Sequence, residues 1–212
     1  MIARMKSPAA MVHVLDDDAS VRKSLSRLIS EAGYRVQVYT SAGEFLTRAP
    51  DVGPSCLVLD VRMPGATGLE LQQTLAAAVH EIPIIFITGH GDISMSVKAM
   101  KAGAVDFLTK PFAAQELLDA IERAVAKDAR DLGTEARDDE IRGRLKRLTP
   151  RESQVFALVV TGMLNKQIAA ELGVGEKTVK VHRARVMEKM QADSVATLVR
   201  LADALGIMVT KP

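Results

Sequence analysis

Negatively charged residues stand directly after two apolar, strand-like segments of this 212-residue chain. Asp16, Asp17 and Asp18 follow one such segment, and Asp60 ends another. Carboxylates about 5 Å apart repel by roughly 3 kcal/mol per pair at an effective dielectric constant near 20. A cluster of them therefore needs a cation or a raised pKa. Because Mg²⁺ fits two carboxylates together with a phosphoryl oxygen, the pattern predicts a cation-dependent acidic pocket.

A hydroxyl group and an ammonium group follow two further apolar segments. Thr88 closes residues 84–87, and Lys110 comes just after Phe107 and Leu108. A lysine supplies a second positive charge beside the metal, and a threonine supplies a hydroxyl donor. With a carboxylate as nucleophile, these groups form a set that could bind and accept a phosphoryl group.

Strand-like and helix-like segments alternate through the first 125 residues, and this alternation is what would bring the polar groups together. Strands that alternate with helices form a parallel sheet covered on both faces. Ligands of such sheets bind outside the carboxyl ends of the strands. The apolar, strand-like segments are residues 11–15, 35–39, 56–60, 82–88 and 104–108.

Four motifs in this region resemble the signatures of the receiver domain of two-component response regulators. Their spacings also agree, with 43 residues from Asp17 to Asp60, 28 more to Thr88 and 22 more to Lys110. The resemblance implies a flavodoxin-like, doubly wound α/β fold with five parallel strands in the order 2-1-3-4-5. The motifs are Val-Leu-Asp-Asp-Asp at 14–18, Leu-Asp-Val-Arg-Met-Pro at 59–64, Ile-Thr-Gly-His-Gly-Asp at 87–92 and Asp-Phe-Leu-Thr-Lys-Pro-Phe at 106–112.

The receiver resemblance also implies a role for each site residue. Asp60 would accept a phosphoryl group from a sensor histidine kinase. Asp16 and Asp17 would hold Mg²⁺, or Mn²⁺ in its place, together with Asp60 and the backbone carbonyl of Arg62. Thr88 and Lys110 would bind the phosphoryl oxygens.

Two further roles follow from the same resemblance. Thr88 and Phe107 would form the conformational switch. Arg62 and His90 would set how long the phosphoryl group survives on the protein.

The last third of the chain is basic and helical. Residues 144–212 carry twelve Lys and Arg against six Asp and Glu, although the whole chain has a net charge of only +2. Thr149, Pro150 and Glu152 are typical of a helix start. We expect Asn165 to cap a short second helix, which a glycine-containing turn separates from a basic third helix. This order is typical of a helix-turn-helix.

This region resembles the DNA-binding domain of LuxR-type regulators through Leu-Thr-Pro-Arg-Glu at 148–152, Asn-Lys-Gln-Ile-Ala at 165–169 and Thr-Val-Lys-Val-His-Arg at 178–183. By position, Lys180, Val181 and Ala184 should face base edges. Gly175 departs from the Ser or Thr that the family usually has as helix cap. The residues placed for DNA phosphates, which orient the protein without reading sequence, are Lys166, Lys177, Thr178, His182 and Arg185.

We predict a receiver domain at 1–125, a charged and helical linker at 126–147 and the LuxR-type helix-turn-helix domain at 148–212. The linker could be one rigid helix or a flexible tether. No run of about 18 apolar residues predicts a membrane span, and the N-terminus lacks the apolar core of a secretory signal. The single cysteine, Cys56, is typical of a reducing cytoplasm.

Together the two resemblances imply a transcriptional regulator in which phosphorylation of Asp60 promotes homodimerisation and DNA binding at half-sites about one helical turn apart. Its only chemistry would be its own phosphorylation and dephosphorylation. Three alternatives remain open. They are a DNA-binding regulator that does not need phosphorylation, a haloacid-dehalogenase-like phosphatase with Asp16 as nucleophile, and a LuxR-type regulator that senses a small molecule.

Overall fold

The computed structural model describes residues 10–63, 67–76, 82–89 and 93–207. The chain divides into two compact units, and the division falls between Leu132 and Gly133. All strands of the described residues lie in the first unit, which we call unit 1. The described part of unit 2, from Gly133 onward, contains helices and their connections.

One parallel sheet forms the centre of unit 1. Its strand order is β2-β1-β3-β4-β5, and every neighbouring pair is parallel, so the predicted topology is confirmed. Leu15 pairs with Leu59, and Asp60 pairs with Ile87, which brings the carboxyl ends of the three central strands to one edge. The strands are β1 (Met11–Leu15), β2 (Arg35–Tyr39), β3 (Ser55–Asp60), β4 (Ile84–Thr88) and β5 (Asp106–Thr109).

Helices cover both faces of the sheet, because alternate residues of the central strands are apolar on both sides. On one face, Leu59 and Phe86 pack with residues of α2, α3 and α4. On the other, Val58 and Ile87 pack with residues of α1 and α5. The helices are α1 (Ala19–Glu31), α2 (Ala42–Leu46), α3 (Gly68–Ala76), α4 (Ile93–Lys101) and α5 (Ala114–Leu145).

Two strands begin later than the sequence pattern predicts. β4 begins at Ile84, after Pro83, whose nitrogen has no hydrogen to donate to a neighbouring strand. β5 begins at Asp106 because the residues that follow α4 first form the turn that caps this helix. There the Ala104 amide donates to the carbonyl of Ala99 across Gly103, which has a φ of +91°.

Buried polar side chains join helices to the sheet and to each other in unit 1. Asp128 of α5 is completely buried and accepts a hydrogen bond from the Ser55 amide at 2.7 Å. Gln72 of α3 is also buried, and its side-chain amide donates to the carbonyls of Ala99 at 3.2 Å and Ala102 at 3.0 Å. Gln72 therefore ties α3 to the C-terminal end of α4.

α5 is the longest of the described helices, at 32 residues. Its first part packs on the sheet through Leu117 and Ile121, whereas Ile141 belongs to the core of unit 2. None of the described helices combines the length and apolar character that crossing a membrane requires.

Unit 2 packs its helices around one apolar core. Val155, Val179 and Val186 are completely shielded from solvent there. Thr149 caps α6 as predicted, and Glu152 completes a reciprocal capping box. The helices that follow α5 are α6 (Pro150–Val160), α7 (Asn165–Leu172), α8 (Glu176–Met190) and α9 (Val195–Ala204).

The prediction that Asn165 caps α7 is wrong. The cap position belongs to Leu164, whose backbone amide donates to the side chain of Gln167 at 2.8 Å. Asn165 is the first helical residue, and its side-chain oxygen instead accepts a hydrogen bond from Arg183 of α8. Asn165 therefore links two helices rather than satisfying the start of one.

Cys56 lies inside β3 and is completely buried. Burial, and to a smaller extent the charge of Asp128, raises the pKa of its thiol. The side chain is thus a protonated part of the apolar core.

Candidate functional sites: the acidic cluster and the basic helix

Three carboxylates meet where β1 and β3 end. One ligand oxygen from each of Asp16, Asp17 and Asp60 lies within 4.8 Å of the others. Asp16 is fully buried, Asp17 is exposed and Asp60 is half-buried. The parallel pairing of β1 with β3 produces this arrangement, because Asp16 follows Leu15 and Asp60 follows Leu59 in register.

Lys110 supplies a positive charge to the cluster. Its ammonium group lies 2.8 Å from Asp16 Oδ2 and 3.3 Å from Asp60 Oδ2. Burial lowers the pKa of Lys110, but the hydrogen bonds and charges of the two carboxylates outweigh it, so the pKa is raised. The lysine is thereby held in its charged form.

Burial raises the pKa of Asp60 above its ordinary value. The Arg62 amide, which donates to Asp60 Oδ1 at 3.2 Å, and the charge of Lys110 oppose this effect, whereas the charge of Asp16 adds to it. Burial and crowding thus make a second cation favourable at the cluster. The donor set of three carboxylates suits a hard ion such as Mg²⁺.

Asp18 belongs to the structure of α1 and not to the cluster of three. It is the N-cap residue, and its carboxylate accepts a hydrogen bond from the Ser20 amide at 2.7 Å. That bond, with a second from the Val21 amide, lowers the pKa of Asp18. The backbone amide of Asp18 in turn donates to Asp16 Oδ1 at 2.8 Å.

Of the other predicted receiver residues, Arg62, Thr88 and Phe107 lie in or shortly after strands β3, β4 and β5. Thr88 is buried at the end of β4, and its carbonyl accepts a hydrogen bond from the Lys110 amide at 2.7 Å. Phe107 is partly buried, and its ring centre lies 6.2 Å from that of Phe86. Arg62 follows β3 with an exposed side chain. His90 lies outside the described residues.

The basic residues predicted to contact DNA lie in α7 and α8. Val179, Val186 and Met190 of α8 are buried in the core of unit 2, which leaves the opposite side of the helix to solvent. His182 is half-buried. The exposed members of the predicted set are Lys166, Lys177, Thr178, Lys180, Val181, Ala184 and Arg185.

Gly175 is the N-cap of α8 and has an extended backbone conformation. The start of α8 therefore lacks the side-chain hydrogen bond that the usual Ser or Thr would provide. Arg183, which is not among the residues predicted to contact DNA, points to α7 and donates to Asn165 at 2.8 Å. It holds the two helices of the helix-turn-helix together.

Comparison with known families gives two matches. Residues 12–122 match the family described as response regulator receiver domain. Residues 146–202 match the family described as bacterial regulatory proteins, luxR family. This chain belongs to the response regulators.

The chain is similar to other response regulators over most of its length and most of theirs. The chain is 51% identical over 202 residues to nodulation protein W of Bradyrhizobium diazoefficiens, covering 95% of this chain and 88% of that protein. It is 49% identical over 201 residues to the transcriptional regulatory protein FixJ of Rhizobium meliloti, covering 92% and 96%. A low-resolution structure of the response regulator StyR matches with a TM-score of 0.81 and 48% identity, covering 92% and 98%. This response regulator is therefore a FixJ-like transcriptional regulator.

Two residues that shape the acidic cluster of this response regulator could not be recognised from the sequence pattern. Gly68, the first residue of α3, lies so close to β3 that an added Cβ would be 2.7 Å from the carbonyl oxygen of Asp60. Arg22 of α1 donates from its guanidinium group to the carbonyl oxygen of Asp16 at 2.6 Å. The pattern of apolar residues indicates neither contact. The first depends on the missing side chain of Gly68, and the second on a hydrogen bond from one side chain to a neighbouring backbone carbonyl.

Proposed function

We propose that Asp60 is the phosphoryl acceptor of this response regulator and that its phosphorylation controls DNA binding. The observation that carries the proposal is the contact of Lys110 with both Asp16 and Asp60, beside Asp17. A carboxylate oxygen of Asp60 attacks phosphorus, the bond from phosphorus to the histidine nitrogen of the kinase breaks, and an acyl phosphate forms. Lys110 would bind the transferred group.

Asp16, Asp17 and Asp60 would hold Mg²⁺, or Mn²⁺ in its place, with the backbone carbonyl of Arg62 as a further ligand. The bound ion would neutralise charge that develops on the phosphoryl oxygens. Asp16 is buried and bonded to Lys110 and to the Asp18 amide, so its carboxylate is already oriented. Burial also argues against Asp16 as a nucleophile, because its carboxylate is completely shielded whereas the carboxylate of Asp60 is partly accessible.

Phosphorylation adds about 1.5 to 2 negative charges at Asp60. We infer that Thr88 moves toward the phosphoryl group, that Phe107 turns inward, and that the surface formed by residues 93–112 then changes. This surface exposes Ile93, Val97 and Met100 on α4. A homodimer formed there would place two copies of α8 on neighbouring DNA half-sites. Arg62 and His90 would set the lifetime of the phosphoryl group.

Two recognition helices would then meet DNA through two kinds of contact. Lys180, Val181 and Ala184 would read base edges, and the phosphate contacts would come from Lys166, Lys177, Thr178, His182 and Arg185. The exposure of seven of these eight side chains supports the assignment.

The family matches at 12–122 and 146–202 support domain limits of 1–125 and 148–212 with a linker at 126–147. The helical state of residues 114–145 supports the linker's proposed helical character.

Intact mass spectrometry tests the proposal directly. The natural chain and Asp60→Asn are incubated with acetyl phosphate and Mg²⁺, and the mass of each is measured. We expect one phosphoryl adduct on the natural chain and none on the variant. Adducts on both would move the acceptor elsewhere. No adduct on either, with a kinase donor also failing, would favour DNA binding that is independent of phosphorylation.

A further inference from the structure

Arg22 binds the backbone that carries two of the acidic residues. It lies near the start of α1, yet its side chain reaches back to the end of β1 and donates to the Asp16 carbonyl at 2.6 Å. A cation near the N-terminus of a helix opposes the helix dipole, so Arg22 offsets part of the stabilisation that the Asp18 cap gives to α1. Helix stability therefore does not explain an arginine here, whereas its contact with β1 does.

Asp16 and Asp17 are held in place by different means. The carboxylate of Asp16 is buried and bonded to the Asp18 amide and to Lys110, each at 2.8 Å. The carboxylate of Asp17 is exposed and has no hydrogen bond to any residue in the described ranges. Within the described part of the chain, the backbone that carries Asp17 is therefore what sets its position.

The Asp16 carbonyl belongs to the rigid peptide plane that joins Asp16 to Asp17. A guanidinium group that holds this oxygen fixes the orientation of the plane, and with it the direction in which Asp17 leaves the chain. We propose that Arg22 is a positioning residue for the divalent cation, because its contact with the Asp16 carbonyl keeps Asp17 beside Asp60. The inference rests on the proposed function of the acidic cluster.

Arg22 also places a positive charge near the cluster, and this charge acts in the opposite direction. A nearby cation repels Mg²⁺, so an arginine that acted only by charge would weaken metal binding, and its removal would strengthen it. Glu44 offsets part of the charge of Arg22. The Thr40 amide is the main cause of the lowered pKa of Glu44, and the charge of Arg22 lowers it further, so the two side chains attract each other. The sign of the change in Mg²⁺ affinity therefore separates positioning from charge.

The experiment is a calorimetric titration of the full chain with Mg²⁺, without a phosphodonor. The variants are Arg22→Ala, Arg22→Met and Arg22→Lys, with Lys23→Ala as control because Lys23 is an exposed cation on the next residue. We expect the dissociation constant for Mg²⁺ to rise about tenfold for Ala and Met, as for other residues that orient metal ligands. Lysine should restore part of the affinity, and Lys23→Ala should stay within about twofold of the natural chain because solvent screens exposed charges.

The dependence of acetyl phosphate labelling on Mg²⁺ provides a second measurement. For Arg22→Met, half-maximal labelling should need more Mg²⁺, while the rate at saturating Mg²⁺ should match that of the natural chain. If circular dichroism shows that Arg22→Ala is unfolded, the Mg²⁺ affinity of Arg22→Met becomes the test of the inference. Unchanged or tighter Mg²⁺ binding by a folded Arg22→Met would overturn the inference but leave the proposed function intact. A natural chain that binds no Mg²⁺ and takes no phosphoryl group would overturn both.

Discussion

The missing side chain at Gly68 allows α3 to begin against the end of β3. An added Cβ would lie 2.7 Å from the carbonyl oxygen of Asp60 and 3.0 Å from a ring carbon of Phe86. The Gly68 amide also donates to the carbonyl of Val61 at 2.9 Å. Both the backbone atom and the buried ring are fixed by the core, so neither can move away cheaply.

Gly68→Ala should lower the stability of unit 1 by about 1–3 kcal/mol, because the methyl group overpacks a tight contact. The measurement is urea unfolding followed by near-ultraviolet circular dichroism of tyrosine. Tyr34 and Tyr39 are the chain's two tyrosines, and both lie in unit 1, so this signal reports that unit alone.

The matched control is Gly43→Ala in α2, where an added Cβ meets nothing within 4 Å. This substitution should be neutral or stabilise unit 1 by roughly 0.5–1 kcal/mol, since alanine favours a helix over glycine. Equal unfolding midpoints for the two variants would contradict the contact-based argument for Gly68.

At the scale of single residues, the sequence predicted contacts between side chains at strand ends better than contacts between side chains that pack between secondary-structure elements. Asp16, Asp60 and Lys110 could be predicted to meet because parallel strands deliver their ends to one edge. No pattern in the sequence reveals the partners of His13 in β1. It is buried, with one ring nitrogen 3.0 Å from the Tyr39 hydroxyl and the other 2.8 Å from Asp51.

Among the helices, α6 and α8 are joined by an ion pair whose carboxylate is shielded from solvent. Lys189 of α8 donates to Glu152 of α6 at 2.6 Å, and the Glu152 side chain is 2% exposed. The same carboxylate accepts the Thr149 amide at 2.8 Å. The hydrogen bond from Lys189, followed by that from Thr149, lowers the pKa of Glu152 to about 2 from its ordinary 4.5.

Acid should therefore weaken the contact between α6 and α8. A carboxyl group whose pKa is lower in the folded state stabilises that state above its unfolded pKa, and the effect is lost as pH falls through the folded value. Stability from Glu152 should be complete above about pH 4.5 and should decline toward pH 2. Hydrogen exchange of peptides from residues 150–160, measured at falling pH, would follow this loss.

Lys189→Met should destabilise unit 2 by about 1–3 kcal/mol at neutral pH, because it leaves a buried acceptor without one of its donors. It should also flatten the pH dependence of exchange in α6. The control is Lys180→Met, whose exposed ammonium group lies 3.5 Å from Glu176 and contributes little. An unchanged pH profile in Lys189→Met would show that Glu152 is not the group responsible.

Helix and strand types followed from sequence periodicity, but several ends did not. The start of α6 was predictable because Thr149, Pro150 and Glu152 act within one turn. The start of α7 was not predictable, because the Asn165 side chain accepts a hydrogen bond from Arg183, a residue 18 positions away. The late start of β5 likewise depends on how α4 ends, through Gly103 and the bond from Gln72.

At the scale of the whole molecule, the acidic cluster lies in unit 1 and the basic helix α8 lies in unit 2. If α8 binds DNA as proposed, affinity should fall steeply as salt rises, because each neutralised phosphate releases counterions. Lys177→Ala should weaken binding to all sequences and reduce the slope of log affinity against log salt by about 1. Lys180→Ala should instead relax the base preference at one position, by roughly 1–3 kcal/mol.

Fluorescence anisotropy at several salt concentrations would measure these effects, with a duplex selected from a random pool by the phosphorylated natural chain. Lys23→Ala, an exposed cation in unit 1, is the control and should leave the slope unchanged. If Lys177→Ala and Lys23→Ala gave the same slope as the natural chain, Lys177 would not contact phosphate.

The burial of Cys56 within β3 makes the natural chain a convenient background for chemical labelling. Reagents that attack thiols need an accessible thiolate, and the Cys56 side chain is completely buried with a raised pKa. One cysteine introduced at an exposed position in each unit would thus take up dye while Cys56 stayed unlabelled. Energy transfer between the two dyes could then follow the distance between the receiver and the helix-turn-helix as acetyl phosphate is added, with no natural thiol removed.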